Sequence, residues 1–314
     1  MKKNLLLILI PVALIIFPFL NFSPRWLHIF IIVFYYIMLS ASWNLMMGYT
    51  GLFSFGHTAL SAVGGYASAL LITHLGVTPL LGPFLGGITA AFFSFLLGLI
   101  CLRLRGFYLA LVTWAFAEIV IGIAKVQYDI TGGTQGLRTV SLFWPGAGRI
   151  PYYYFGLLLA TILIFSIHRL SKIKIGFYLR AIREDESAAE VLGVNTVLWK
   201  ISCFTYVGFW AGLAGAYYGH YIGVVDPSLG SLGEMSIVVL TVVVGGMGTA
   251  LGPVIGSFLV IVAADLFRGK LAAFSMVFFS LLMILVVRFF RGGLMQVLTA
   301  RFDSVKKGVG VTGR

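Results

Sequence analysis

The stretch AIREDESAAEVLGVN, residues 181–195, decides how the rest of the chain is read. It holds Glu184, Asp185, Glu186 and Glu190, four of only ten acidic residues among 314. The chain is 60% hydrophobic and 10% charged, with a mean hydropathy of +1.03. A soluble domain carries roughly 25% charged residues. A charged island between apolar runs is therefore a loop between membrane spans. Wound at about 100° per residue, the stretch puts Ala181, Ala188 and Leu192 on one side, with Ile182 and Ala189 beside them. Arg183, Glu186 and Glu190 fall opposite. The expectation is one short amphipathic helix with a small, mostly alanine contact face. The acids at 184–186 sit near its start, where the helix dipole favours them, and Gly193 and Asn195 stop it. On these residues alone the helix is either a solvated connector or a docking surface for a soluble partner. Four acids argue against a seat on anionic lipid.

Working outward, a span needs about 20 apolar residues. The candidates are Leu5–Leu20, Leu27–Met47, Tyr49–Thr73, Leu80–Leu102, Phe107–Lys125, Tyr152–His168, Leu198–Gly219, Gly233–Val244, Ala250–Phe267 and Leu271–Phe289. The fold class expected is an all-α polytopic integral membrane protein of about eight to ten transmembrane helices. The short eighth segment reads as broken or re-entrant, and Gly51, Gly56, Gly64 and Gly65 interrupt the third. The chain is expected to form a single transmembrane domain over 1–290, containing a loop over 169–197, followed by a basic cytoplasmic tail over 291–314. The first segment lacks a small-x-small cleavage site and reads as an uncleaved helix.

The net charge of +12 comes from Lys and Arg placed mostly between and after the spans. With the N-terminus inside, ten crossings put Arg103, Arg105, the 169–197 loop and the tail in the cytoplasm, a positive-inside bias. The basic residues thus report topology, and no nucleic-acid motif accompanies them. Cys101 and Cys203 have neither metal spacing nor a disulfide framework. No G-x-x-x-x-G-K-[ST] phosphate loop occurs, so any ATP is hydrolysed elsewhere.

Among polar residues in spans, His57 and Glu118 are candidates for lining a solute path, with a polar contact between packed helices as the alternative. Glu234 and Asp265 lie nearer span ends, where water reaches them, and Asp226-Pro227 reads as a turn. Thr131, Gly132, Gly133 and Thr134 offer an amide nest for an anion or a simple turn. Gly64-Gly65 with Gly82-Pro83-x-x-Gly86 is echoed by Gly245-Gly246 with Gly252-Pro253-x-x-Gly256, the pattern of an inverted repeat.

Residues 181–195, followed by Lys200, resemble the cytoplasmic coupling loop of ABC-importer permeases, with Glu186, Ala189 and Gly193 carrying its E-x-x-A-x-x-x-G spacing. WNLMMGYTGLFSFGHTALSAVGGYASALL (43–71), LRGFYLALVTWAFAEI (104–119), TGGTQGL (131–137) and VVVGGMGTALGPVIG (242–256) are similar, in order, to motifs of the branched-chain amino acid permeases of the LivM type. The resemblance covers about residues 40 to 290. It implies a permease subunit of an ATP-driven importer for leucine, isoleucine and valine in a bacterial inner membrane. The implied partners are a second, related permease chain, two ATPase subunits that bind ATP and Mg, and an external solute-binding protein. This chain would carry no cofactor and no catalytic residue. Arg183, Glu184, Asp185, Glu186, Ala188, Ala189, Leu192 and Gly193 are then the ATPase-coupling residues. Ser54, Gly56, His57, Glu118, Gly245 and Gly246 are substrate-path candidates, and 131–134 is a surface for the binding protein. Importers of urea, amides or aromatic solutes share similar motifs. A stand-alone secondary transporter suits the membrane acids and broken helices equally well but leaves the coupling-like loop without a role.

Overall fold

The computed structural model describes residues 14–268 apart from residues 16, 21–22, 105 and 145. The expected last span and basic tail, and all but the end of the first span, lie outside the described residues. The described part is helical: α1 (Pro24–Asn44, continued by a π turn Leu45–Tyr49), α2 (His57–Leu75), α3 (Gly82–Ile100), α4 (Phe107–Val126), α5 (Ile150–Leu170), α6 (Lys174–Glu184), α7 (Glu186–Val191), α8 (Thr196–Ile222), α9 (Leu232–Gly245) and α10 (Gly252–Arg268). Six of these are long and apolar enough to cross a membrane, and α9 and α10 are shorter apolar helices. The molecule is a polytopic all-α membrane protein. Among the described residues the strands are a two-residue ribbon absent from the sequence reading, β1 (Leu137–Arg138) antiparallel to β2 (Val224–Val225).

The helices have two common ends. At one, Arg183 of α6 bonds the Gly48 carbonyl at the end of α1, and the α9–α10 turn meets the same place through Asn44, which accepts from Gly248 N at 2.8 Å and donates to Thr249 O at 2.9 Å. At the other, Arg25 pairs with Asp265 at 2.7 Å, Arg149 donates to Pro24 O at 2.6 Å, and the ribbon closes over the C-terminus of α8 through Thr139.

Small residues set how closely the core helices approach. In α3, Gly82, Gly86, Ala90, Ser94 and Gly98 recur every fourth position, and all are buried. The buried Gly208, Gly212, Gly215 and Gly219 of α8 share one face in the same way. Residues three and four apart stack along a helix, and a stripe without bulky side chains lets backbones touch. A Cβ on Gly212 would lie 2.3 Å from the Ala90 Cβ, and one on Gly64 2.2 Å from the Gly212 Cα. Ser94 adds a bond to Phe204 O at 2.6 Å.

Two segments outside the α-helices interrupt the bundle, the first extended and the second a 3₁₀ turn over Pro227–Gly230. After the π turn, residues 51–56 run without helix to His57, turned by Gly51 at φ +72°. Backbone groups in hydrocarbon must find partners inside the protein, and here side chains supply them. Trp43 Nε1 donates to Ser54 O at 2.8 Å, and Phe55 N donates to Thr113 Oγ1 at 3.0 Å. The second segment, 226–231, is held by Asp226 accepting from Ser228 N at 2.7 Å and by Ser231 capping Glu234 N at 3.3 Å. The segments meet where Thr58, in the first turn of α2, donates to Gly230 O at 3.2 Å. From there α9 runs back toward Gly48, opposite in direction to α2. Glu234 therefore sits beside the middle of α1, accepting from Tyr36 Oη at 2.6 Å, and not near a wet span end as the sequence suggests.

The glycine echo is only partly structural. Both Gly-Pro pairs open the second helix of a hairpin, and Gly86 and Gly256 both press on a backbone carbonyl of the first helix, Gly64 O and Thr241 O. Gly64-Gly65, however, lies inside α2, whereas Gly245-Gly246 ends α9.

Candidate functional site

The 181–195 stretch is two helices, not the single one expected. Asp185 is extended (φ −158°, ψ 111°) and its carboxylate caps α7 through Ala188 N at 3.0 Å. Ala181–Glu184 form the last turn of α6. Asp acts this way because a short carboxylate bonds the orphan amides of a following helix better than it supports a helix interior. The far end of α7 is a Schellman closure, with Gly193 N on Glu190 O at 2.9 Å and Val194 N on Ala189 O at 3.0 Å. Gly193 takes the φ of +84° that this closure requires.

The kink redistributes the faces. Glu186 does not point to water but pairs with Lys200 of α8. Lys200 is buried and also donates to Leu102 O at 3.3 Å after α3. Glu190 accepts from Thr196 Oγ1, Arg183 reaches Gly48, and Ala189 is buried against the body. Glu184 is exposed. What α7 presents outward is Ala188, Val191 and Leu192, the last two 88% and 83% exposed. The ionic residues thus anchor the helix, and apolar residues form its free tip. Val191 belongs to this tip and is absent from the expected contact face, although it stands three residues after Ala188 on the same side of the helix.

The substrate-path candidates separate into three places. Ser54, Gly56 and His57 form the packed junction into α2. Ser54 Oγ accepts from Gly56 N at 3.2 Å, and the fully buried His57 bonds Ser42 Oγ at 2.9 Å through Nε2. Gly245 and Gly246 close the α9–α10 turn, where a Cβ on Gly245 would strike Gly252 O. Glu118 instead borders a cavity of about 310 Å³. Ile121 and Lys125 line it from the same helix, Thr134 from the following loop, and Asp226, Pro227, Ser228 and Ser231 from the 226–231 segment. Glu118 is exposed on α4 and accepts from Trp114 Nε1 at 3.2 Å.

Thr131–Thr134 do not form an open amide nest. Gly132 N is taken by Tyr128 O at 2.9 Å and Gly133 N by Thr131 Oγ1 at 3.3 Å. Consecutive left-handed glycines (φ +73° and +59°) close this turn on itself. Among the described residues no group of His, Cys, Asp and Glu is placed to hold a metal.

A family model described as "Branched-chain amino acid transport system / permease component" matches residues 26–287. The chain belongs to this family. The permease is 32% identical over 294 residues to the high-affinity branched-chain amino acid transport system permease protein LivM of Escherichia coli (strain K12), across 85% of this chain and 69% of that protein. The protein of the same name from Salmonella typhimurium is also 32% identical over the same shares. No solved structure matches the chain. The matched region of the permease includes α6, α7 and the cavity. Lys200, which sequence reading did not place at the site as a partner of Glu186, carries a signal that such reading can use: an ionisable residue inside an apolar run needs a partner.

Proposed function

We propose that the chain is one permease subunit of an ATP-driven importer of branched-chain amino acids, set in a cytoplasmic membrane with the α6–α7 end facing the ATPases. A second, related permease, two ATPase chains binding ATP and Mg, and an external binding protein complete the assembly. The relatives named for branched-chain amino acid transport support this substrate. The positive-inside bias supports the orientation, with both termini cytoplasmic.

The observation that carries the reading is the tip of α7. Ala188, Val191 and Leu192 are apolar and exposed at the end of a helix fixed from behind by two polar contacts, Glu186–Lys200 and Glu190–Thr196, with Arg183 of the preceding α6 holding Gly48. A rigid apolar tip in water is suited to a groove on a soluble partner. Motion of that partner reaches α8 through Glu186 and Lys200, and the end of α1 through Arg183. A change there alters the packing of α1, α8 and the α9–α10 turn together, a rigid-element switch between inward and outward access.

Burying an apolar side chain is worth about 1.5–3 kcal/mol. Converting both Val191 and Leu192 to Asp is therefore expected to weaken ATPase docking by roughly a hundredfold or more. The tagged variant should insert normally, lose its ATPase subunits on affinity purification from native membranes, and lose ATP-driven leucine uptake. Unchanged co-purification and uptake would refute the coupling role. A wild-type chain that purifies alone and moves leucine without ATP would make it a secondary transporter.

A further inference from the structure

The geometry points to the cavity between α4 and the 226–231 segment as a binding site for the zwitterionic head of an α-amino acid. This rests on the importer reading above and adds a place for the solute that the reading does not supply.

Three observations meet there. The first is charge. Two carboxylates, Glu118 and Asp226, and one ammonium, Lys125, surround the same 310 Å³ space, yet no ion pair joins Lys125 to either acid among the described residues. Glu118 and Lys125 are seven residues apart, about 10 Å along a helix axis, and Glu118 leans the other way, toward Trp114, which leaves a gap between the two charges. A ligand that carries an ammonium and a carboxylate on one carbon enters that gap, its ammonium toward Glu118 and Asp226 and its carboxylate toward Lys125. The second is the order of chemistry along α4. Glu118, Ile121 and Lys125 recur at i, i+3 and i+7 on one face, placing an apolar patch between the charges, with the buried Pro227 across from it. An aliphatic side chain finds apolar contact there. Thr134 and Ser228 add hydroxyls at the rim. The third is position. Glu118 is the twelfth of twenty residues in a membrane-spanning helix and is exposed on it. A carboxylate there is costly in lipid and is retained where water or a partner surface reaches it. The cavity size matches the low end of small-molecule sites, about 300 Å³.

The test uses the complex that purifies with the full-length chain carrying Ser228→Cys. Ser228 is exposed, and the native Cys101 and Cys203 are buried, so a charged methanethiosulfonate reagent reports on position 228. Leucine is expected to slow modification at least about fivefold by occupying the site it competes for. 4-Methylpentanoate, which lacks the ammonium, and 3-methylbutylamine, which lacks the carboxylate, should not protect. Adding Lys125→Gln or Glu118→Gln should raise the half-protecting leucine concentration by about tenfold, the loss of one charge-assisted contact. Leucine uptake in proteoliposomes is measured on the parent complex. Uptake without protection overturns the site and leaves the importer reading standing. Protection without uptake overturns the importer reading and keeps the site. Equal protection by all three compounds also overturns the proposal, because the charges would then play no part.

Discussion

Lys200→Met is expected to lower ATP-driven uptake at least about tenfold while the chain still inserts, because it removes the ammonium that seats α7 on the body. The Lys200 and Glu186 side chains are 4% and 13% exposed, and the ammonium also holds Leu102 O. Methionine keeps the length and apolar stem but leaves the Glu186 carboxylate facing a dry surface. Breaking such a pair from one side costs about 3–5 kcal/mol. For a chain of this size each kcal/mol moves the unfolding midpoint by about 2–4 °C, so a drop of roughly 10 °C in detergent is expected. Removing both charges is far less costly than removing one. Glu186→Gln with Lys200→Met should therefore regain most of the midpoint and little of the uptake, since the neutral pair packs without fixing α7. A single variant with an unchanged midpoint and unchanged uptake would show that the pair does not seat the helix.

Gly64→Ala is expected to be nearly as damaging, through packing alone. Its Cβ would lie 2.2 Å from the Gly212 Cα and 2.4 Å from the Gly212 carbonyl oxygen. Both are backbone atoms, so no rotamer change relieves the contact, and α2 and α8 must separate by more than an ångström. Overpacking of this kind costs about 1–3 kcal/mol. Here it also strains the contacts of α3, whose Gly86 packs on the Gly64 carbonyl. Gly122→Ala is the control, since a Cβ at this α4 position meets nothing within 4 Å. It is expected to be neutral or to stabilise by about 0.5–1 kcal/mol. Thermal midpoints of the two variants in one detergent decide the matter. Equal midpoints would mean that the small-residue stripes do not set the helix spacing.

Much of the architecture was readable along the chain. Apolar runs of about 20 residues gave the spans, and within the described residues their positions hold to within a few residues except the third, expected from Tyr49, whose helix begins only at His57. Glycines at 51 and 56 marked the first extended segment, and the short run at 233–244 marked α9, which starts beside the middle of α1. The stripe at 82, 86, 90, 94 and 98 was also present as a fourfold spacing, but a small-residue face names no partner until the opposing helix is known. The site was less legible. A helical wheel assumes an unbroken helix, and Asp185 breaks it, so Glu186 was turned to water although it is anchored on Lys200.

The sequence by itself determined that the chain crosses the membrane many times, where its charged loop lies and which family it resembles. These follow from local hydropathy, charge and motif order, properties that neighbouring residues carry whatever the rest of the chain does. Only the tertiary structure decided that Glu186 finds Lys200, that Arg183 finds Gly48, and that Glu118, Lys125, Thr134 and Asp226 surround one space. Ion pairing and cavity shape depend on ångström distances between helices far apart in the chain. Those distances are set by how closely the glycine faces of α2, α3 and α8 approach, which no single segment specifies alone.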